Sequence, residues 1–289
     1  MRPSVLRIGA RPAVAIVLVS IAGLMMFAWP LLISAPSGLA HSRDAPFVFA
    51  ALLPCLIAVL LSEMTSGRMD TKAIAMLGVL AAVGAALRPM GAGTAGLETV
   101  FFLLVLGGRV YGPGFGFVLG STTLFASALL TGGIGPWLPF QMLAASWVGL
   151  GAGLLPPARG RREIAMLAAY GAASAFAFGM LLNLWFWPFT VGTDSQLSYI
   201  AGAPVLENVH RFLLFTLATS MWGWDMGRAI TNAVAIVLLG PAVLLALRRA
   251  SRRAAFSAPV TFEDAPVRPR TAALARGDAL AGRATADGP

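Results

Sequence analysis

The chain has 289 residues, of which 58% are hydrophobic and 11% are charged, and its mean hydropathy is +0.80. Soluble domains carry about 25% charged residues and at most about half apolar ones, so the composition excludes an ordinary soluble enzyme, a disordered chain and a basic nucleic-acid-binding module. The single cysteine, Cys55, lies in an apolar run, which excludes a disulfide framework and a cysteine-based metal site. The net charge is +9. In a membrane protein, the positions of the excess basic residues indicate which loops lie on the cytoplasmic side.

A helix that crosses the bilayer needs about 20 apolar residues. Eight stretches meet or approach that length and predict an all-α, polytopic membrane protein. The run at 212–222 is only about half a span long and predicts an interfacial or re-entrant helix. The eight predicted spans are residues 13–33, 46–62, 72–87, 95–106, 114–130, 138–155, 164–187 and 225–247.

The distribution of lysine and arginine predicts how these spans are oriented. If the N-terminus is cytoplasmic, only four of the 21 basic residues face outside: Arg43, Arg88, Arg211 and Arg228. Because basic residues accumulate in cytoplasmic loops, we expect eight spans in the plasma membrane with both termini inside. The chain then divides into an N-terminal pair of helices (1–66), a transmembrane core (67–253) and a disordered, Arg-, Ala- and Pro-rich cytoplasmic tail (254–289).

Polar residues near the predicted outer ends of the spans are candidates for function, because ionisable residues in a membrane are rare and costly. Arg88 and Glu98 flank one loop and are placed to pair, while Asp225 and Arg228 share a helix face with Asn232, one turn further in. One interpretation is a set of caps, interfacial residues and salt bridges. The other is an external pocket formed by Asn183, Trp187, Asp225, Arg228 and Asn232.

A Gly- and Pro-rich outer loop at 131–141 adds Trp137, Phe140 and Gln141 to the candidates. Irregular backbone at membrane depth is tolerated where it lines a cavity. A Trp, a Phe and a Gln on such a loop suit a flat or ring-bearing solute, which they would bind by stacking and by one amide hydrogen bond.

The sequence carries no His-Glu-x-x-His, no Gly-x-Ser-x-Gly and no Walker A lysine. We therefore expect that the protein is not an enzyme and binds neither a metal nor a catalytic cofactor. Two other classes stay open: a free-standing secondary transporter, for which inverted repeats are typical, and a membrane enzyme or assembly factor without a recognisable motif.

Small residues recur every fourth position on three predicted helices. Such faces let helices approach closely, so the pattern predicts tight helix packing. The three sets are Gly112, Gly116 and Gly120; Gly149 and Gly153; and Gly78, Ala82 and Ala86.

Residues 72–249 resemble the substrate-binding S component of energy-coupling-factor (ECF) vitamin transporters. Four features carry the resemblance: an Ala/Gly-rich helix that ends Ala-Ala-Leu-Arg-Pro at 85–89, the run Gly-Gly-Arg-Val-Tyr-Gly-Pro at 107–113, the Gly-Gly-x-Gly-Pro-Trp loop at 132–137, and a last helix through Asn232 and Gly240-Pro241. Between them lie the helix with glycines at spacing four and the basic turn at 159–162.

The resemblance implies a six-helix core, here preceded by two extra spans, that captures a vitamin or cofactor-like solute from outside. It implies a transmembrane T component and two ABC-type ATPases as partners, which use the ATP. The family contacts its T component through a small-residue stripe, matched here by Gly78, Ala82 and Ala86. The extra spans are similar to those of members associated with corrinoid (cobalamin) uptake; thiamine or another heteroaromatic solute is the alternative.

Overall fold

The computed structural model describes residues 10–32, 71–91, 96–190 and 195–254, and this part of the chain consists of helices and their connections, with no β-strand. The predicted second span at 46–62, Arg43, Cys55 and the tail from residue 255 lie outside the described residues. In chain order the helices are α1 (Ala10–Phe27), α2 (Trp29–Leu32), α3 (Thr71–Leu87), α4 (Val100–Tyr111), α5 (Pro113–Thr131), α6 (Leu138–Leu154), α7 (Gly160–Phe186), α8 (Val205–Thr216) and α9 (Met226–Ala254).

Four helical segments in this part of the chain are long and apolar enough to cross a membrane: Lys72–Gly91, Pro113–Thr131, Gly160–Phe189 and Val205–Arg252. Three apolar helices are shorter: Ala13–Phe27, Val100–Tyr111 and Leu138–Leu154. The protein is therefore built as a helical membrane protein, as its composition predicts.

The structure corrects two of the predicted elements. The fourth predicted span, 95–106, is a helix displaced toward the C-terminus, because Gly96 adopts a left-handed conformation with φ +79° and the helix runs from Val100 to Tyr111. The run at 212–222 is not a separate re-entrant helix. It continues through a π-helical segment (Leu217–Asp225) into α9, because no proline interrupts the chain between Val205 and Gly240.

Helices α5 and α6 pack with their backbones in close contact, as the glycine spacing predicts. A Cβ atom on Gly116 would collide with the carbonyl oxygen of Gly149, and one on Gly149 would collide with that of Gly116. One turn further along, Gly120 lies equally close to the carbonyl oxygen of Ala145. Gly78 on α3 contrasts with these positions, because no described residue lies within 4 Å of the place that a Cβ atom would occupy there.

We expect Gly149→Ala to lower the free energy of unfolding by about 1–3 kcal/mol, because the added methyl group meets rigid backbone rather than a side chain that can move. Gly78→Ala is the matched control, since its methyl group meets none of the described residues. Thermal unfolding in detergent measures both. Equal midpoints for the two variants would contradict the close backbone contact.

Two ionic clusters lie at opposite ends of the bundle. At one end Glu163 of α7 accepts hydrogen bonds from Arg109 Nε (2.8 Å) and from Arg248 Nη2 (2.6 Å), which belong to α4 and α9. At the other end Glu98 precedes α4 and pairs with Arg88 and Arg228. We call these the Glu163 end and the Glu98 end.

Candidate functional site

A cavity of about 360 Å³ opens at the Glu98 end of the bundle. Its wall is formed by the start of α6, the last two turns of α7, the π-helical segment and the first turn of α9. Aromatic, amide and charged side chains all face it. The lining residues are Trp137, Gln141, Phe178, Gly179, Leu182, Asn183, Trp185, Phe186, Ser220, Trp224, Asp225 and Arg228.

Glu98 holds two arginines from different helices. Its Oε1 accepts from Arg88 Nε at 3.3 Å, and its Oε2 accepts from Arg228 Nε at 2.6 Å. The predicted pairing of Arg88 with Glu98 is thereby confirmed. Burial raises the pKa of the Glu98 carboxyl, but the charges of Arg228 and Arg88 outweigh burial and bring that pKa below its ordinary value.

Asp225 forms the acidic part of the wall. Its Oδ1 accepts from Arg228 Nη1 at 3.0 Å and its Oδ2 accepts from Ser220 Oγ at 2.8 Å. Gly179 on α7 makes room for this carboxylate, because a Cβ atom there would collide with it. The guanidinium of Arg228 also lies over the ring of Phe178, 5.0 Å from its centroid.

Two amide side chains are fixed at the cavity wall. Asn183 Nδ2 donates to Ser220 Oγ at 2.7 Å, and Gln141 Oε1 accepts from Arg88 Nη2 at 3.0 Å. Each amide therefore belongs to the same network as the charged groups, and that network fixes its orientation before a solute arrives.

Trp185 is the buried aromatic part of the wall. Its ring is stacked on Phe140, with centroids 4.3 Å apart and planes 2° from parallel. It is 1% exposed, and its Nε1 has no hydrogen-bond partner among the described residues. The rim is formed by Trp137, Phe186 and Trp224, which are 41–47% exposed.

The π-helical segment brings part of this wall together. Ser220, Trp224 and Asp225 all lie in it. Extended π-helix is rare and occurs frequently at functional sites. Gly96 packs its backbone directly on the carbonyl group of Trp224, which anchors the turn before α4 to this segment.

Five of the eight residues predicted from the sequence line the cavity together: Trp137, Gln141, Asn183, Asp225 and Arg228. The other three, Phe140, Trp187 and Asn232, are fully buried and do not line the cavity. The ring of Phe140 stacks on the ring of Trp185. Asn232 accepts from the backbone nitrogen of Phe102 at 2.7 Å and donates to the Glu98 carbonyl oxygen at 3.0 Å, which ties α9 to the start of α4.

Trp187 belongs to a separate aromatic cluster with Tyr199, Phe212 and Phe215. Its Nε1 donates to the carbonyl oxygen of Leu197 at 2.6 Å and thus attaches the 195–203 connection to the end of α7. It does not line the cavity.

The sequence interpretation missed several lining residues. Phe178, Leu182, Trp185 and Phe186 follow one another at helical spacing around Asn183. Because residues at this spacing share a helix face with Asn183, they could have been identified from the sequence. Ser220 and Trp224 could not be found in the same way, because their positions depend on the π-helical segment.

Within the part of the chain that the structure describes, no three His, Cys, Asp or Glu side chains come together as a metal site. Comparisons of the chain with protein-family models, with curated proteins and with solved structures find no match.

Proposed function

We propose that this chain is the membrane-embedded, substrate-binding S component of an ECF-type importer, which captures a vitamin or cofactor-like solute from outside. The observation that carries the proposal is the cavity at the Glu98 end, where aromatic rings, two amides, Asp225 and Arg228 share one wall. Such a combination of apolar surface with a few fixed polar groups is typical of small-molecule sites.

The orientation follows from the basic residues. Arg109, Arg248 and the cluster at 159–162 belong to the Glu163 end, whereas Arg88 and Arg228 at the Glu98 end are paired with acids. The positive-inside rule then puts the Glu163 end in the cytoplasm and the cavity outside. We propose eight spans in the plasma membrane, with both termini inside.

The site serves recognition rather than catalysis in this proposal. Both carboxylate oxygens of Asp225 already accept hydrogen bonds, from Arg228 and Ser220. A general base needs an oxygen within reach of the proton that it removes. The partner ATPases, not this chain, would supply the energy for transport.

The test is to purify the protein and to identify the small molecule that stays bound by mass spectrometry. We expect a heterocyclic vitamin or precursor. Cells that express the chain together with a T component and two ATPases should accumulate that compound, and cells in which the ATPases carry an inactive Walker A lysine should not. Recovery of lipid alone, or uptake that continues without ATPases, would contradict the proposal.

Contact with the T component should depend on α3. Gly78, Ala82 and Ala86 are exposed on one face of this helix. We expect Ala82→Leu to reduce co-purification of the T component at least about fivefold, because a bulky side chain prevents close helix approach. Ala246→Leu on the exposed face of α9 is the matched control. Equal recovery of the T component with both variants would place the contact elsewhere.

A further inference from the structure

The charged groups of the cavity wall and its surroundings balance one another. Arg88 and Arg228 carry two positive charges, Glu98 and Asp225 carry two negative ones, and every one of the four takes part in an ion pair of 2.6–3.3 Å. A site for an anion or a cation needs a charge that the ligand neutralises, because a buried charge is costly without a partner. The described wall offers no such unbalanced charge.

The volume of the cavity limits the size of the solute. Sites for small molecules range from about 300 to 1,000 Å³, and the present cavity of about 360 Å³ lies near the lower limit. Compounds of one ring or two fused rings fit within such a space. A corrinoid is several times larger and would not be enclosed.

Trp185 supplies a hydrogen-bond donor that the protein does not use. Trp185 is one of the residues that line the cavity and is 1% exposed, and its Nε1 has no partner among the described residues. Leaving a buried donor unsatisfied costs about 1–3 kcal/mol. The backbone of Trp185 is itself fixed, since its carbonyl oxygen accepts from Trp29 Nε1 at 3.2 Å. Because almost none of this nitrogen's surface is accessible, an acceptor atom on a bound solute would satisfy the donor once neighbouring side chains of the wall shift.

We infer that the cavity takes an uncharged heteroaromatic compound of one ring or two fused rings, which stacks among the aromatic side chains and accepts a hydrogen bond from the indole N–H of Trp185. The inference rests on the proposed function, because it names the class of solute captured at that site. Asn183 and Gln141 lie on the same wall and offer amide groups to the polar edge of the ring.

Matched probes of different charge test the inference. The full chain in nanodiscs is dialysed against nicotinamide, nicotinate and 1-methylnicotinamide, and against the two-ring set quinoline-4-carboxamide, quinoline-4-carboxylate and 4-carbamoyl-1-methylquinolinium. We expect the neutral member of at least one set to bind, and at least about tenfold more tightly than its charged counterparts. Binding of a charged member as tight as that of its neutral counterpart, no binding by either neutral member, or binding of cyanocobalamin would overturn the inference.

The role of Trp185 is tested by Trp185→Phe, which keeps a stacking ring on Phe140 and removes the N–H group. We expect the affinity for the neutral probe to fall about five- to tenfold, as for one lost hydrogen bond. Trp147→Phe is the control, because Trp147 donates to Ser20 and does not line the cavity. Equal affinities of the two variants would overturn the assignment of Trp185.

Different results would contradict the proposed importer function and the inference about the solute. These measurements use the isolated protein and no transport, so a neutral probe can bind even if the chain has no T component or ATPase partner. Conversely, ATP-driven uptake of an anionic or cationic vitamin would support the proposed function and overturn the inference about the solute.

Discussion

Glu98→Gln is expected to lower the free energy of unfolding by about 3 kcal/mol, because it leaves the partly buried guanidinium groups of Arg88 and Arg228 without their shared counter-charge. The side chain of Glu98 is 16% exposed, so water compensates only a small part of the loss. Denaturant unfolding in detergent micelles measures the change.

The matched control is Glu207→Gln. Glu207 pairs with Arg211 across one helical turn, but its side chain is 44% exposed. Exposed pairs contribute at most about 1 kcal/mol, so this variant should stay close to the wild type. If both variants lose the same stability, the Glu98 cluster does not hold the helices together.

The loss of stability caused by Glu98→Gln should also depend on pH. The pKa of Glu98 is lowered in the folded protein, since the two arginines outweigh burial. A lowered pKa contributes stability above the ordinary carboxylate range, and this contribution is lost as the pH falls through the folded-state value. We therefore expect the difference between the wild type and Glu98→Gln to be largest near neutral pH and to shrink in acid.

Gly179→Ala is expected to abolish solute retention while leaving the protein folded. The new methyl group would occupy the position of the Asp225 carboxylate. Because that carboxylate ends a side chain that can rotate, it should turn away and lose its bonds to Arg228 and Ser220. We expect at least about a tenfold decrease in bound solute per protein, measured by mass spectrometry of the purified variant.

Gly171→Ala provides the control on the same helix. Its methyl group would meet only the terminal Cδ1 of Ile236, a flexible group that can move aside. This variant should keep both its solute and its melting temperature. Loss of solute from both variants would mean that α7 as a whole, rather than the position of Asp225, determines binding.

The charged part of the site could be predicted from the sequence because it depends on local spacing. Asp225 and Arg228 pair three residues apart on one helix, and Arg88 and Glu98 pair across a short connection, as expected. The packing of α5 against α6 was equally accessible, since Gly116 and Gly149 belong to repeated small-residue patterns.

The aromatic part of the site could not be predicted with the same success, because tertiary packing decides which ring faces a cavity. Trp185 and Trp187 are two residues apart, yet one lines the cavity and the other is buried in a separate cluster. On a helix this spacing points two side chains to different faces. The sequence interpretation chose Trp187 and did not consider Trp185 as a lining residue.

The two ionic clusters have a mechanical consequence. At the Glu163 end, one carboxylate joins α4, α7 and α9. At the Glu98 end, Asn232 joins α9 to α4, while Arg228 over Phe178 joins α9 to α7. Contacts at both ends thus link the same three helices, so separating them at either end would break hydrogen bonds or the Arg228–Phe178 contact. If the protein captures a solute as proposed, the motion that admits or releases it would fall to the parts outside these three helices, or to the three helices moving together.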